Sequence, residues 1–348
     1  MNPIQRVSVL SALAISCAFT LTACQKNEDQ KPQVVQEEQV TTPEIQLNGQ
    51  NMMMHLQAFQ KIADENQNNR ATGTAGGLAS GEYILEQIKK TGYRAEVQTF
   101  KNRDDVVGQN IIVKMQGESS NHPIIIVGAH YDSVESGAGI NDNASGVALL
   151  LELIQQLKQS KTKLKSTIYF AFWDSEEVGI AGSQAFVKSL SHEQLKNIEA
   201  YINVDMVGTK DPTMQVIDAD KSSINEMEKM LKELGVKKEE YTSLLEGLRA
   251  IPSHSGDVAL ENSLKAFAKE QNVVIKEDIS IITASDTAAF IGKVPVTSIT
   301  FFNEKLNGDE LEFAPCYHKE CDKIDIVDTN SLTLAGKAVL HLIQDLQK

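Results

Sequence analysis

The sequence predicts a three-layer α/β/α protein, in which helices cover both faces of a central mixed, mainly parallel β-sheet. From about residue 48 onward, short apolar runs of strand length alternate with longer amphipathic segments of helical period. No internal repeat or second linker interrupts the alternation, so residues 48–348 are expected to form one domain. Three apolar runs, at 124–127, 167–172 and 200–204, are followed at once or closely by histidine or acidic residues. In α/β proteins, the carboxyl ends of the strands are where ligands bind.

The first part of this region is expected to contribute two helices and two antiparallel strands. Regularly spaced apolar residues predict a helix over 49–67. The glycine-rich stretch 70–77 lacks the lysine ending of a phosphate-binding loop, so we interpret it as a turn before a helix at 78–91. Segments 93–100 and 110–115 have strand composition and are expected to pair at one side of the sheet.

The rest of the chain continues the alternation of strand and helix. Helices are expected at 145–158, 182–190, 223–234, 257–271 and 331–346, and further strands at 214–217 and 294–302. Residues 237–252 are hard to assign to either type of element. Residues 309–328 contain Pro315, Cys316, His318 and Cys321 and are expected to form a long loop.

The amino terminus has the pattern of a targeting segment. Arg6 precedes an apolar run, 7–21, which is too short to span a membrane. The run ends in Leu-Thr-Ala-Cys, which resembles the lipobox of bacterial lipoproteins. Residues 1–23 are therefore expected to be a lipoprotein signal peptide, Cys24 to carry lipid, and the polar residues 24–47 to form a flexible tether. The alternative is an ordinary secretory signal with a chance cysteine.

Charge and cysteine content suit an exported protein. The formal net charge is -14, and it becomes -15 when residues 1–23 are removed, because they contain Arg6 and no acid. Such a chain, with no basic cluster, is a poor nucleic-acid binder, and anionic membranes would repel it unless lipid anchors it. We expect a cell-envelope lipoprotein, with the outer membrane favoured because Gln25 follows the cysteine instead of aspartate. Cys316 and Cys321 are expected to form a disulfide, the alternative being two free thiols.

The residues that follow the three apolar runs point to a metal site. His130, Glu177 and Asp205 each follow one of these runs, and Asp142 follows the first run after a glycine-containing loop. Since the carboxyl ends of parallel strands lie side by side, we expect these groups to converge. A lone acid of this kind is often a helix cap. Imidazole and carboxylate ligands together, without thiolate, suit zinc or a similar divalent ion in a catalytic site, and one carboxylate has two oxygens with which to bridge two ions.

With these motifs in place, the sequence resembles the co-catalytic dizinc peptidases of metallopeptidase family 28, which include bacterial aminopeptidases and glutamate carboxypeptidases. Five motifs match in order from about residue 48 to the C-terminus: His130-x-Asp132, the Gly-x-Asn-Asp-Asn-x-Ser-Gly segment at 139–146, Glu176-Glu177, Asn203-x-Asp205 and Tyr317-His318. The resemblance implies the zinc-dependent exopeptidase fold, two zinc ions, a peptide substrate and hydrolysis by an activated water. We expect a monomer.

The resemblance also implies a role for each matched residue. Asp142 would bridge the two zinc ions, with His130 and Asp205 completing one site and Glu177 and His318 the other. Glu176 would be the general base. Asp132 would accept the far ring N–H of His130 and fix its tautomer. One departure is Thr287, which stands where the family usually has histidine after Ser-Asp.

Several activities remain open within and outside this family. Aminopeptidase is the first choice, because the motifs contain no inserted protease-associated domain and a carboxypeptidase needs an arginine for the terminal carboxylate. The candidates for that role are Arg249 and, far from the motifs in sequence, Arg70, Arg94 and Arg103. Glutaminyl cyclase shares the fold but uses one zinc, which the full ligand set argues against. A zinc-binding lipoprotein without catalysis is the alternative from another class.

Overall fold

The computed structural model describes residues 45–118, 123–307 and 310–348 of the chain. The predicted signal peptide at 1–23, Cys24 and most of the predicted tether lie outside these residues. Ile45 and Leu47, at the end of the predicted tether, pack against the core of the domain. Within the described residues, no helix is both long enough and apolar enough to cross a bilayer.

A central sheet organises the described part of the chain. Its strands are β1 (Ala95–Lys101), β2 (Val107–Met115), β3 (Ile124–His130), β4 (Thr167–Trp173), β5 (Ile198–Asp205), β6 (Thr213–Val216), β7 (Ile275–Glu277) and β8 (Val296–Phe302). They lie in the order β1-β2-β4-β3-β5-β8-β6-β7. The central strands β4, β3, β5 and β8 are parallel, whereas β1, β2 and β6 run antiparallel to a neighbour. A separate hairpin joins β9 (Lys305–Asn307) to β10 (Glu310–Glu312).

Helices cover the two faces of this sheet. They are α1 (Gly49–Glu65), α2 (Ala75–Lys90), α3 (Ser145–Ser160), α4 (Ala181–Ser189), α5 (His192–Lys196), α6 (Ser223–Glu233), α7 (Lys238–Ala250), α8 (Asp257–Gln271), α9 (Thr287–Phe290) and α10 (Thr329–Leu346). Alternate residues of a strand point to opposite faces. Accordingly, Ile125 and Val127 of β3 join one core with α1 and α3, while Ile126 joins a second core with α4 and α9. The predicted three-layer α/β/α class is confirmed.

The structure differs locally from the sequence-based expectation in several places, and it adds the short elements α5, α9, β7 and β9. Helix α2 begins at Ala75, three residues earlier than predicted, and its hydroxyl cap is Thr74, which accepts the N–H of Gly77. A Cβ at Gly76 would lie 2.1 Å from the Asn69 carbonyl oxygen, so glycine is required where α2 meets the preceding turn. The segment that was hard to assign contains α7, which buries Tyr241 and Leu245 one turn apart. The predicted loop at 309–328 contains β10 and a short 3-10 turn, Ile324–Ile326.

Candidate metal centre

The carboxyl ends of three neighbouring parallel strands meet at one edge of the sheet. His130 is the last residue of β3 and lies opposite Trp173, the last residue of β4. Asp205 is the last residue of β5, which pairs with the other side of β3. Glu176 and Glu177 follow β4 after two intervening residues. The sheet register therefore brings together groups that lie up to 75 residues apart in sequence.

Asp142, His130 and Asp205 form the first of two possible metal-binding groups at this edge of the sheet. Nε2 of His130 lies 3.3 Å from Oδ1 of Asp142 and 3.6 Å from Oδ1 of Asp205. All three side chains are buried. Asp142 lies in the turn Ile140–Ala144 between β3 and α3, which directs its carboxylate to the strand ends.

The second group shares Asp142 and adds Glu177 and His318. Nε2 of His318 lies 3.2 Å from Oδ2 of Asp142 and 3.2 Å from Oε2 of Glu177. His318 comes from the loop between β10 and α10 and is more exposed than the other ligands. One carboxylate therefore presents its two oxygens to two different histidines, as a residue bridging two ions must.

These donors fit zinc in both distance and chemistry. Two ligand atoms about 2.0–2.1 Å from a tetrahedral zinc ion lie about 3.3–3.4 Å apart, close to the separations seen in both groups. Buried Oε1 of Glu177 and Oδ1 of Asp205 have no hydrogen-bond partner among the described residues. A buried carboxylate oxygen without a partner is costly, and a cation would satisfy it.

The electrostatics of the site also favour a bound cation. Although burial alone would raise the pKa of Asp142, hydrogen bonds from His130 and His318 hold it well below its usual range. Burial and, to a smaller extent, the nearby Asp142 raise the pKa of Glu177 to about 7. Burial opposes protonation of His318, but Asp142 and Glu177 raise its pKa to about 10. The carboxylates and histidines thus stabilise each other's charged forms, which shows the negative potential of the site.

Glu176 faces the same cavity but belongs to neither metal-binding group. Burial raises the pKa of Glu176 well above its usual value, and the neighbouring acids Asp286, Asp205 and Glu177 add to the shift. The cavity has a volume of about 510 Å³. Its wall includes apolar and aromatic side chains, namely Met206, Ile281, Ala284, Phe302, Phe313 and Tyr317. One cavity therefore contains two candidate metal-binding groups, a carboxyl group that belongs to neither, and an apolar wall.

Asp132 is fully buried behind His130 and Glu176. Its Oδ1 lies 3.4 Å from Nδ1 of His130, which is longer than an ordinary hydrogen bond. Both oxygens also accept backbone N–H groups, Oδ1 from Glu176 at 3.1 Å and Oδ2 from Glu177 at 3.2 Å. Asp132 is thus placed to orient three predicted site residues, and the two backbone contacts were not expected from the sequence.

Asp322 and Arg70 are two supporting residues that sequence reasoning missed. The Asp322 carboxylate accepts the backbone N–H groups of Asn141 at 2.7 Å and Asp142 at 3.0 Å. Arg70 is fully buried and donates to the carbonyls of Tyr131, Ala138 and Gly139. Neither residue has a local sequence signal, apart from the proximity of Asp322 to His318.

Ser285 and Asn203 support Asp205. The Ser285 hydroxyl donates to Oδ2 of Asp205 at 2.7 Å, and the Asn203 amide donates to the same hydroxyl at 3.1 Å. Thr287, which replaces the histidine of the family pattern, is fully buried and lies outside the cavity lining. In the sequence, Ser285 belongs to the Ser-Asp segment that resembles the family pattern. Its contacts with Asp205 and Asn203 become visible only in the folded structure.

The loop that carries His318 is closed by a covalent bond. Cys316 and Cys321 form a disulfide, with their Cα atoms 5.3 Å apart. His318 has a φ of +56°, a backbone conformation that residues other than glycine rarely adopt. The Ser136 hydroxyl donates to the His318 carbonyl at 3.0 Å and ties the loop to the segment after β3.

Among the four arginines considered above, only Arg103 lines the cavity. Arg249 forms an ion pair with Glu228 at 3.0 Å, on the pair of helices α6 and α7. His254 accepts the N–H of Gly256 at the start of α8, and it does not line the cavity.

Comparison with known proteins places the chain in a family. Residues 110–343 match the model for peptidase family M28. The chain is 30% identical over 303 residues to leupeptin-inactivating enzyme 1 of Streptomyces exfoliatus, covering 87% of this chain and 62% of that protein. It is 30% identical over 261 residues to the probable lipoprotein aminopeptidase LpqL of Mycobacterium tuberculosis, covering 72% of this chain and 46% of that protein. The chain thus spans less than two thirds of the length of each relative.

Solved structures show the same fold at lower sequence identity. A zinc aminopeptidase from Bacillus subtilis superposes with a TM-score of 0.66 at 17% identity, covering 87% of this chain and 96% of that one. A glutaminyl cyclase from Porphyromonas gingivalis superposes with a TM-score of 0.62 at 20% identity, covering 85% and 98%. The family match covers the strands and loops that carry all five predicted metal ligands, and it confirms the resemblance seen in the sequence motifs. The chain belongs to peptidase family M28.

Proposed function

We propose that the protein is a dizinc aminopeptidase that removes N-terminal residues from peptides, with Glu176 as general base. The observation that carries the proposal is the position of Asp142, whose two oxygens lie against His130 and His318. A site for a single zinc ion has no need of two ligand groups that share a carboxylate. Glu176 lines the same cavity without belonging to either group, so it is free to move a proton.

The side chains divide the work of hydrolysis between them. When bound, two zinc ions would polarise the scissile carbonyl and lower the pKa of the attacking water. Burial raises the pKa of Glu176 well above its usual value, which makes its carboxylate a stronger base. Glu176 would take the proton from the water and pass it to the leaving amine. The apolar wall, which includes Phe302 and Phe313, suits an apolar substrate side chain.

Two other activities of the same fold are weaker proposals. A glutaminyl cyclase binds one zinc ion, and that activity would not explain why Asp142, Glu177 and His318 form a second possible metal-binding group. A carboxypeptidase is a closer alternative, since Arg103 lies at the cavity. The names of the M28 relatives favour the aminopeptidase, because the Mycobacterium protein and several fungal relatives are described as aminopeptidases.

Substitution of Glu176 by glutamine tests the proposal. Glutamine keeps the size of the side chain but cannot accept a proton, so kcat should fall by about 10²–10⁴-fold. The variant should still hold two zinc ions per chain, measured by elemental analysis. The substrates are leucine p-nitroanilide, an N-acetylated peptide and an N-terminal glutaminyl peptide. The exposed Glu193→Gln variant is the matched control.

Each outcome separates the alternatives. A zinc-binding lipoprotein without catalysis predicts no hydrolysis by the wild type and no effect of Glu176→Gln. Cleavage of the acetylated peptide in preference to the free amine would favour a carboxypeptidase. Cyclisation of the glutaminyl peptide would favour the cyclase. Hydrolysis of leucine p-nitroanilide by Glu176→Gln at the wild-type rate would rule out Glu176 as the general base.

We also propose that the enzyme is anchored in the cell envelope through lipid on Cys24, with the outer membrane favoured. The lipobox-like sequence supports this, as does the word lipoprotein in the name of the Mycobacterium relative. The Cys24→Ser variant, expressed in a bacterial host, should leave the membrane fraction while keeping its activity. Continued sedimentation with membranes would show that another feature anchors the chain.

A further inference from the structure

Arg103 lies at the rim of the metal cavity, although it is far from the ligand motifs in sequence. It comes from the turn between β1 and β2, and it lines the same cavity as Glu176 and His318. Its guanidinium lies beside Gly179, where a Cβ would lie 3.5 Å from Nη1 of Arg103, an ordinary van der Waals distance. Arg103 therefore lies against the loop that carries Glu176 and Glu177.

The Arg103 guanidinium has no carboxylate partner within the described parts of the chain, and it is exposed. By contrast, Arg249 is paired with Glu228, and the buried guanidinium of Arg70 is satisfied by three carbonyl groups. An unpaired arginine is notable in a chain whose net charge is -14, since acidic side chains outnumber basic ones. The planar guanidinium is well shaped to bind a carboxylate through two parallel hydrogen bonds.

Arg103 is also the one lysine or arginine among the residues that line the cavity in the described structure. The acids in the lining are Asp142, Glu177 and Asp205, which would be used as metal ligands, and Glu176, which would serve as base. If these four carboxylates serve the metal centre, none of them is left to pair with Arg103, whose positive charge lies at the rim of the cavity. An anionic group of the substrate is its natural partner.

The size of the cavity limits how far that anionic group can lie from the metal centre. A volume of 510 Å³ corresponds to a sphere about 10 Å across, and an extended peptide covers at most about 3.3–3.6 Å per residue. Two to three residues therefore span the cavity. A peptide of this length, with its first amide at the metal centre, carries its own C-terminal carboxylate to the rim.

From these observations we infer that Arg103 binds the C-terminal carboxylate of short substrates, so that the enzyme prefers dipeptides and tripeptides with a free carboxyl group. The inference rests on the proposed aminopeptidase function and adds a substrate class to it. The carboxylate belongs to the leaving part of the substrate, so the contact assists binding and positioning and takes no part in proton transfer.

Amidation of the substrate carboxyl group tests the inference directly. The wild type is compared with Arg103→Gln on leucyl-glycine, leucyl-glycinamide and acetyl-leucyl-glycine. The wild type should cleave the free acid with a kcat/KM about three- to tenfold above that of the amide, as expected for one partly exposed charged pair. Arg103→Gln should lose this preference while cleaving the amide as the wild type does. The preference should also shrink as salt is added.

Arg94→Gln is the matched control, because Arg94 is exposed near the start of β1 and does not line the cavity. It should keep the preference of the wild type for the free acid. An equal ratio of acid to amide in the wild type and Arg103→Gln would overturn the role of Arg103 while leaving the aminopeptidase intact. Cleavage of acetyl-leucyl-glycine in preference to leucyl-glycine would overturn the aminopeptidase instead. In that case, cleavage of acetyl-leucyl-glycine and acetyl-leucyl-glycinamide by the wild type and by Arg103→Gln would test the contact between Arg103 and the carboxylate.

Discussion

The buried carboxylate of Asp132 accepts the backbone N–H of Glu176 at 3.1 Å, which links the end of β3 to the loop after β4. The same oxygen lies 3.4 Å from Nδ1 of His130, and the other oxygen accepts the N–H of Glu177 at 3.2 Å. One side chain thus contacts the segments that carry the base and a ligand of each metal-binding group. The geometry makes Asp132 a positioning residue for the whole centre.

Replacement of Asp132 by asparagine should weaken zinc binding and catalysis together. An amide has one accepting oxygen, so its NH₂ group would face either the Glu176 N–H or the Glu177 N–H as a second donor. We expect zinc affinity to fall by about 10–100-fold, as is typical when a group that orients a ligand is removed. Competition with a chelator measures the affinity. The exposed Asp104→Asn variant is the control, and wild-type affinity in Asp132→Asn would refute the positioning role.

The number of zinc ions bound per chain should distinguish Asp142, which both metal-binding groups share, from ligands such as His318 that belong to one group. Two zinc ions per chain are expected in the wild type, and their removal by a chelator should abolish hydrolysis reversibly. His318→Ala should retain about one zinc ion, because the group of His130, Asp142 and Asp205 stays complete. Asp142→Ala leaves both groups with two ligands and should retain less than one. Elemental analysis after dialysis against buffered zinc gives the counts, and His254→Ala serves as control. Two zinc ions in Asp142→Ala would contradict the shared site.

Loss of the disulfide should affect the metal held by His318 more than the other one. The bond closes the loop in which His318 adopts its positive φ. The double variant Cys316→Ser, Cys321→Ser should lower the free energy of unfolding by about 1–2 kcal/mol, measured by urea titration. One of the two zinc ions should dissociate more readily, and reduction of the wild type should have the same effect. Equal weakening of both zinc ions would mean that the loop acts on the whole centre.

His55 provides a pH dependence that is independent of the metal centre. Burial lowers the pKa of His55 to about 4, with a smaller contribution from Lys90, and Nδ1 lies 2.8 Å from the Tyr83 hydroxyl. Between pH 6.5 and 4, the unfolded chain binds a proton that the folded protein does not. The stability gained from neutral His55 is therefore complete above pH 6.5 and is lost as the pH falls toward 4.

The His55→Gln variant should remove this dependence. Between pH 7 and 5, the free energy of unfolding of the wild type should fall by about 1–2 kcal/mol more than that of the variant. Urea unfolding at the two pH values measures this change in each protein. The variant lacks the contact with Tyr83 at both pH values, so that loss does not contribute to its change between them. Parallel pH curves for the two proteins would show that His55 is protonated equally in the folded and unfolded states.

Local patterns in the sequence predicted much of the fold and pointed to the side chains that the structure brings together as a candidate metal centre. The apolar runs of β3, β4 and β5 are short and almost free of polar residues, so their ends could be located to within a few residues. Helix α7 has no clear signal in the sequence, and it buries only Tyr241 and Leu245. Helix α2 begins earlier than the sequence predicts, because two of its first three residues are glycines, which are typical of turns.

The sequence by itself determined the order of strands and helices and the residue types at the strand ends, because periodicity and motif spacing are local properties of the chain. Only the tertiary structure decided which atoms meet. The two oxygens of Asp142 face histidines from segments that lie 188 positions apart, and Asp322 supports Asp142 from 180 positions away. Arg103 reaches the rim of the cavity from the turn between β1 and β2, which has no sequence motif. Such contacts depend on how loops pack around the sheet, and loops carry no periodicity from which their path could be predicted.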